Sequence, residues 1–251
     1  MINWQETLLF PVRDAEARKQ FLIACLVAFA GSIIPILPTL LLMGYGARIM
    51  RQILEDRKSP SMPNWQEGNW SDMLTDGLRL FGLQIILTLP LLLLLGCGFL
   101  FMISGSIGMS ALAEESTSAL APIGGLFFII GIGLTMLFGL FSFPYGIIIS
   151  AALPHSVAHN SFSAGLNFRQ WFSIFRKGLA NFILGYLFIM AVSFIFIFVI
   201  QFALITLILM CAVPFLIIPL SAYLTLTSTT IYAQAYLAGR DALQSEQHAT
   251  P

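Results

Sequence analysis

The sequence predicts an all-α polytopic transmembrane helix bundle of 5–6 membrane helices, and three observations carry that reading. The 251 residues are 58% hydrophobic and only 10% charged, whereas soluble domains carry about 25% charged residues. No Asp, Glu, Lys or Arg lies between Arg79 and Glu114, between Glu115 and Arg169, or between Lys177 and Arg240. A helix needs about 20 apolar residues to cross the hydrocarbon core of a bilayer, so each gap holds at least one span and the last holds two. The third observation is an internal duplication, described below.

The N-terminal segment 1–20 reads as an amphipathic helix, a break at Pro11 and a second start at Asp14. Asn3 and Glu6 have capping-box spacing, and Trp4, Leu8 and Leu9 suit a headgroup surface or a simple polar lead-in. The residues after Met1 lack the basic and apolar regions of a cleaved signal, so insertion is expected to be driven by the spans. Residues 21–54 form one apolar run interrupted by Pro35-Ile36-Leu37-Pro38, which gives either a kinked span or a hairpin of two short helices. A polar loop follows with Arg57 and Lys58. The next spans are expected at about 74–103 and 122–152, separated by a linker carrying Glu114 and Glu115. Two more are expected near 182–210 and 214–238, breaking near Cys211 to Pro214.

Basic residues favour the cytoplasmic side. Arg48, Arg51, Arg57 and Lys58 place the first connector inside, Arg169, Arg176 and Lys177 the second, and Arg240 the C-terminus. Arg13, Arg18 and Lys19 join them only if residues 21–54 form a hairpin.

The duplication divides the chain into a first repeat, 21–110, and a second, 111–210, followed by a last span, 211–239, and a disordered tail, 240–251. Trp70, Gly77-Leu78 and Phe81 recur as Trp171, Gly178-Leu179 and Phe182, an offset of about 100 residues. Tyr45-Gly46 corresponds to Tyr145-Gly146, and Gly31 to Gly131. Each copy carries an amphipathic cytoplasmic lead-in helix before its long span. Phe168, Trp171, Phe172, Phe175, Leu179 and Phe182 form the apolar face in the second copy, and Trp70, Met73, Leu74, Leu78 and Phe81 in the first. Asp76 sits where Lys177 sits in the second copy, so the two helices are expected to pair acid with base. Gly77 and Gly178 are expected to permit close helix packing.

The chemistry is sparse. Gln84 and Gln201 are the largest polar groups in the spans, which argues against an ion-coupled pump. His155 and His159 have i, i+4 spacing without a nearby carboxylate or Cys, so no metal site is expected. Cys25, Cys97 and Cys211 lie in apolar segments and read as small hydrophobes. No catalytic set and no cofactor-binding motif can be assembled, and no basic stripe suits a nucleic acid. The last span carries a stripe of hydroxyls, Ser221, Thr225 and Ser228, among further Ser and Thr up to Thr230. Such groups either bond to backbone carbonyls or line a ligand path.

Gly44-Tyr45-Gly46, the following Arg48 and Arg51, Pro63-Asn64-Trp65, and Asp76-Gly77-Leu78 before a long span resemble the uncharacterised prokaryotic multi-pass family known as domain of unknown function 4013. The chain is also distantly similar to the membrane domains of some glycerophosphodiester phosphodiesterases. The resemblance implies a prokaryotic plasma-membrane setting and supplies no catalytic residue. The expected function is a non-enzymatic membrane scaffold or a component interacting with membrane lipid, another membrane protein or itself. The alternative is a transporter or permease subunit for an apolar or zwitterionic solute. A cavity reaching Ser221–Thr230 favours transport; a tightly packed core favours the scaffold.

Overall fold

The structure, a computed structural model, describes residues 3–34, 36–56, 59–67, 69–112, 121–205 and 213–249. The expectations for Pro35, Arg57, Lys58, Glu114, Glu115 and Cys211 lie outside the described residues. Helices run α1 Trp4–Leu9, α2 Ala15–Ile33, α3 Leu37–Asp56, α4 Trp70–Leu112, α5 Ala121–Ile149, α6 Ala152–Ala158, α7 Phe162–Leu166, α8 Phe168–Lys177, α9 Leu179–Ile205 and α10 Val213–Ala249. Four are long and apolar enough to cross a membrane, over Trp70–Ser110, Pro122–Ala158, Leu179–Ile205 and Phe215–Glu246. Their outer surfaces are apolar: Leu100 is 66% exposed, Phe198 71% and Ile205 82%. Water does not tolerate so much continuous hydrocarbon, and this is the surface of a membrane-embedded protein.

Local sequence sets the helix starts. Asn3 caps α1, its side chain accepting from the Glu6 N–H, and Asp14 caps α2 by accepting from the Ala17 N–H at 2.7 Å. Each cap satisfies a donor that the first turn leaves orphaned. Helix α3 packs back on α2. The run 21–54 therefore forms two helices and not one kinked span.

The contacts divide into two compact units, Met1–Gln84 with Ile147–Pro251, and Ile85–Gly146. These do not follow the repeat boundaries, because α4 and α5 are each divided between the two units. In the first unit α10 is the central element, touching α1, α2, α3, α6, α8 and α9. Residues 240–249, expected as a disordered tail, continue α10 as helix. Arg240 holds this end by donating to the Leu54 carbonyl at 3.0 Å, and Lys177 binds Glu246. The start of α2 is tied to the connector after α3: the Trp65 N–H donates to the Gln20 side chain and the Trp65 Nε1–H to the Gln20 carbonyl. That contact places the start of α2 and the end of α3 together. Segment α1 also lies against α10, with Thr7 on Gln234 and the Tyr223 hydroxyl donating to the Leu8 carbonyl.

The second unit is a pair of helical segments from α4 and α5 with glycine at the crossing. A Cβ on Gly131 would stand 2.6 Å from the Met102 nitrogen, and one on Gly105 2.5 Å from the Phe128 nitrogen. Without an apolar driving force between lipid-facing helices, such close backbone approach is what holds them. The Tyr145 hydroxyl donates to the Leu87 carbonyl within the same unit.

Candidate functional site

Three features of the first unit converge on α3 and α10. The first is a pair of glycine crossings. A Cβ on Gly77 would fall 1.9 Å from the Leu40 carbonyl oxygen, and one on Gly44 1.9 Å from the Met73 carbonyl oxygen. Helices α3 and α4 thus cross backbone to backbone, running in opposite directions. Gly178 and Gly239 make a similar crossing: a Cβ on Gly239 would lie 2.4 Å from the Ile174 carbonyl oxygen. Gly77 and Gly178, singled out in the sequence, each meet a second glycine, and those partners were not read as packing residues. Gly46 faces α10, where an added Cβ would meet Thr229 Oγ1 at 3.1 Å.

Around these crossings the paired motifs diverge. Helix α4 passes Gly77 without a break, whereas the chain turns at Gly178 between α8 and α9. Trp171 is buried, its Nε1–H donating to the Gly165 carbonyl at 3.0 Å, while Trp70 is half exposed. The buried indole of the first connector is Trp65, stacked on Tyr45 with ring centroids 4.1 Å apart; the Tyr45 hydroxyl donates to the Pro63 carbonyl at 2.7 Å. Tyr145 and Gly146, in contrast, belong to the second unit.

The second feature is a charge cluster. Asp76 is buried. It accepts from Arg51 Nη2 at 2.9 Å and pairs with Arg79 at 3.3 Å, and the Asn160 side chain accepts from both arginines. Asn160 has φ 49, a left-handed conformation asparagine tolerates better than most residues. The cluster joins α3, α4 and the turn after α6. Lys177 is bound to Glu246 at 2.6 Å. The expected Asp76–Lys177 pairing is therefore replaced by two separate bridges, because Arg51 one helix away reaches Asp76 first.

The third feature is a cavity of about 420 Å³ reaching the hydroxyl-rich face of α10. Its polar wall is Thr39, Gln84, Thr225, Ser228, Thr229 and Tyr232, and the remainder is Leu, Met and Ile. No charged side chain lines it. Of the predicted stripe, Thr225 and Ser228 face the cavity; Ser221 is exposed and donates to the Ile218 carbonyl at 2.9 Å. The Thr225, Ser228 and Thr229 hydroxyls donate to carbonyls within α10, at 2.8, 2.9 and 2.6 Å. Their proton is thus spent on the helix, and each oxygen keeps lone-pair capacity. A ligand of this volume suits an ordinary small-molecule site. The hydroxyls that bond to carbonyls of α10 also border the cavity.

Among the described residues, no three His, Cys, Asp or Glu side chains gather as a metal site, and Cys25 and Cys97 are free thiols. Residues 27–209 match the family model described as Protein of unknown function (DUF4013). No curated protein and no solved structure matches the chain.

Proposed function

The chain belongs to that family of unknown function, and from this starting point we propose that it is a non-enzymatic, lipid-interacting membrane component whose cavity holds an uncharged or zwitterionic amphiphile. The observation that carries the reading is the composition of the cavity wall: six polar side chains, four of them from α10, with alkyl and thioether groups elsewhere and no charged side chain. An acyl chain or similar apolar body fits the Leu, Met and Ile surface. Donor groups of the ligand bond to the free lone pairs of Thr225, Ser228 and Thr229.

In this reading the basic connectors face the cytoplasm of a prokaryotic cell, and the α2–α3 hairpin enters the bilayer beside the four long helices. The N-terminus then lies on the same side as Arg48 and Arg51, as the Trp65–Gln20 contact supports. The close glycine crossings, of α3 with α4 and of α10 with the α8–α9 turn, serve to hold the cavity walls in place, and the two repeats are descendants of one duplicated segment that diverged in its packing.

The test is retention of ligand in native mass spectrometry. Wild-type protein extracted in mild detergent is expected to carry one copy of an amphiphile, and Ser228→Phe, which fills the cavity, to lose it with helix content unchanged. Equal retention by both proteins defeats the reading. The same cavity favours a second reading, a permease path for a solute of that chemistry. In liposomes, flux that Ser228→Phe abolishes supports the permease; retention without flux supports the binding component.

A further inference from the structure

The hairpin of α2 and α3 is too short to cross a bilayer, although its outer surface is that of a membrane segment. Neither helix is among the four that are long and apolar enough to span. At a helical rise of about 1.5 Å per residue, the uncharged part of α2 from Gln20 to Ile33 measures about 20 Å. Helix α3 measures about 15 Å from Leu37 to Ala47, just before Arg48. The hydrocarbon core is about 30 Å thick, and α9 covers it with about 39 Å from Leu179 to Ile205. The root of the hairpin is held at the water surface. Arg18 and Lys19 are exposed within a turn of Leu22. The Trp65 N–H donates to the Gln20 side chain at 3.2 Å, and the Trp65 ring stacks on Tyr45. Trp65 thus clamps both arms at one level.

The far end of the hairpin is aliphatic. Ile33 is 72% exposed and Ile36 63%, with Ile34 and Leu37 exposed beside them. Thinning of the bilayer around short helices would bring these four side chains to water, whereas hydrocarbon accepts them. Unpaired backbone groups are the usual obstacle to a turn inside the bilayer. Here the Ile34 N–H donates to the Ala30 carbonyl at 2.9 Å and the Leu40 N–H to the Ile36 carbonyl at 3.0 Å. Pro38, at the start of α3, has no N–H to leave unpaired. The Ser32 hydroxyl donates to the Phe29 carbonyl at 2.6 Å. The arms stay together to the end, since a Cβ on Gly31 would lie 3.7 Å from the Pro38 Cβ. We infer that the hairpin is re-entrant: it enters on the side of the basic connectors, ends near the bilayer midplane and turns back. Ile33, Ile34, Ile36 and Leu37 then contact the ends of lipid acyl chains, and Leu22, Leu26 and Phe29 the chains of the nearer leaflet. The hairpin thus adds its bulk to one leaflet only. This placement presupposes the entry of the hairpin into the bilayer proposed above and is independent of what the cavity holds.

Spin labels read the depth. Leu22, Leu26, Ile33 and Ile36 are exposed, and each is replaced by cysteine in a protein whose native cysteines are alanine. The labelled proteins are reconstituted in vesicles of phosphatidylcholine and phosphatidylglycerol. Collisions with oxygen, which concentrates in hydrocarbon, are compared with collisions with a nickel chelate, which stays in water. The ratio of the two is expected to rise from Leu22 through Leu26 and to be highest at Ile33 and Ile36. A maximum at Leu26 with a fall at Ile33 and Ile36 means a hairpin that spans, which overturns re-entry and keeps bilayer entry. A low ratio at all four positions means a hairpin outside the bilayer, which defeats the entry itself. Ile34→Asp, with the native cysteines in place, covers the case in which the cysteine-free protein does not fold. A charge held in hydrocarbon is expected to shift the folding equilibrium about a hundredfold towards the unfolded state in a dodecyl sulfate titration. An unchanged equilibrium would place the far end in water and contradict re-entry.

Discussion

Gly77→Ala is expected to destabilise the protein by about 3 kcal/mol, the upper part of the usual range for overpacking. The methyl group would stand 1.9 Å from the Leu40 carbonyl oxygen, and that neighbour is backbone, so no rotamer change relieves it. Helix propensity works the other way, since Ala in a helix interior is favoured over Gly by about 1 kcal/mol. The clash wins because α3 and α4 must separate along a whole turn. Gly44→Ala should behave alike, meeting the Met73 carbonyl oxygen at 1.9 Å. Gly96, Gly125, Gly133 and Gly139 have nothing within 4 Å of an added Cβ, so alanine there should be neutral or slightly stabilising. Unfolding by sodium dodecyl sulfate, followed by tryptophan fluorescence, reads the whole series. A Gly77→Ala protein as stable as its Gly96→Ala counterpart would show that the crossing is not close.

The second large effect is expected at Asp76. Asp76→Ala leaves Arg51 and Arg79 facing each other without their carboxylate, and breaking a buried pair in this way costs about 3 kcal/mol. The Lys177–Glu246 bridge is far more exposed, its side chains 40% and 59% accessible, and removing it should cost under about 1 kcal/mol. Because the two bridges share no partner, the double swap Asp76→Lys with Lys177→Asp should not rescue either single change. The losses should instead add to within about 0.5 kcal/mol. Exchanging Lys177 with Glu246 should restore stability. Rescue by the first swap, measured in the same unfolding assay, would mean that Asp76 and Lys177 are partners after all.

Both effects bear on what a sequence of this kind discloses. The four long apolar helices were legible because charge-free gaps and hydropathy reflect the solvent directly, and lipid imposes its requirement on every residue. The caps at Asn3 and Asp14 were legible because they are local. Gly77 and Gly178 were marked by their recurrence, yet their partners Gly44 and Gly239 were not, since a crossing depends on which helix comes alongside. The same limit hid Arg51 behind Asp76. The correspondence of the two copies set Asp76 against Lys177, and only the fold brings an arginine 25 positions earlier within 2.9 Å of it. Trp65 stands in the Pro63-Asn64-Trp65 motif but not in the repeat, so the duplication marks the more exposed Trp70 instead. The hydroxyls of α10 were visible as a stripe; that Thr225 and Ser228 face a cavity while Ser221 does not required the neighbouring helices. His155 showed only its spacing to His159, and its bond to Tyr236, 81 residues on, has no local signature.

The most direct measurement on the cavity of α3 and α10 is photo-crosslinking from within it. A diazirine amino acid replacing Met43, which lines the cavity, is irradiated in native membranes and the adducts are identified by mass spectrometry. The account predicts one dominant amphiphile adduct at position 43 that disappears in Ser228→Phe. Adducts that follow the bulk lipid composition of the membrane, unchanged by Ser228→Phe, would contradict it.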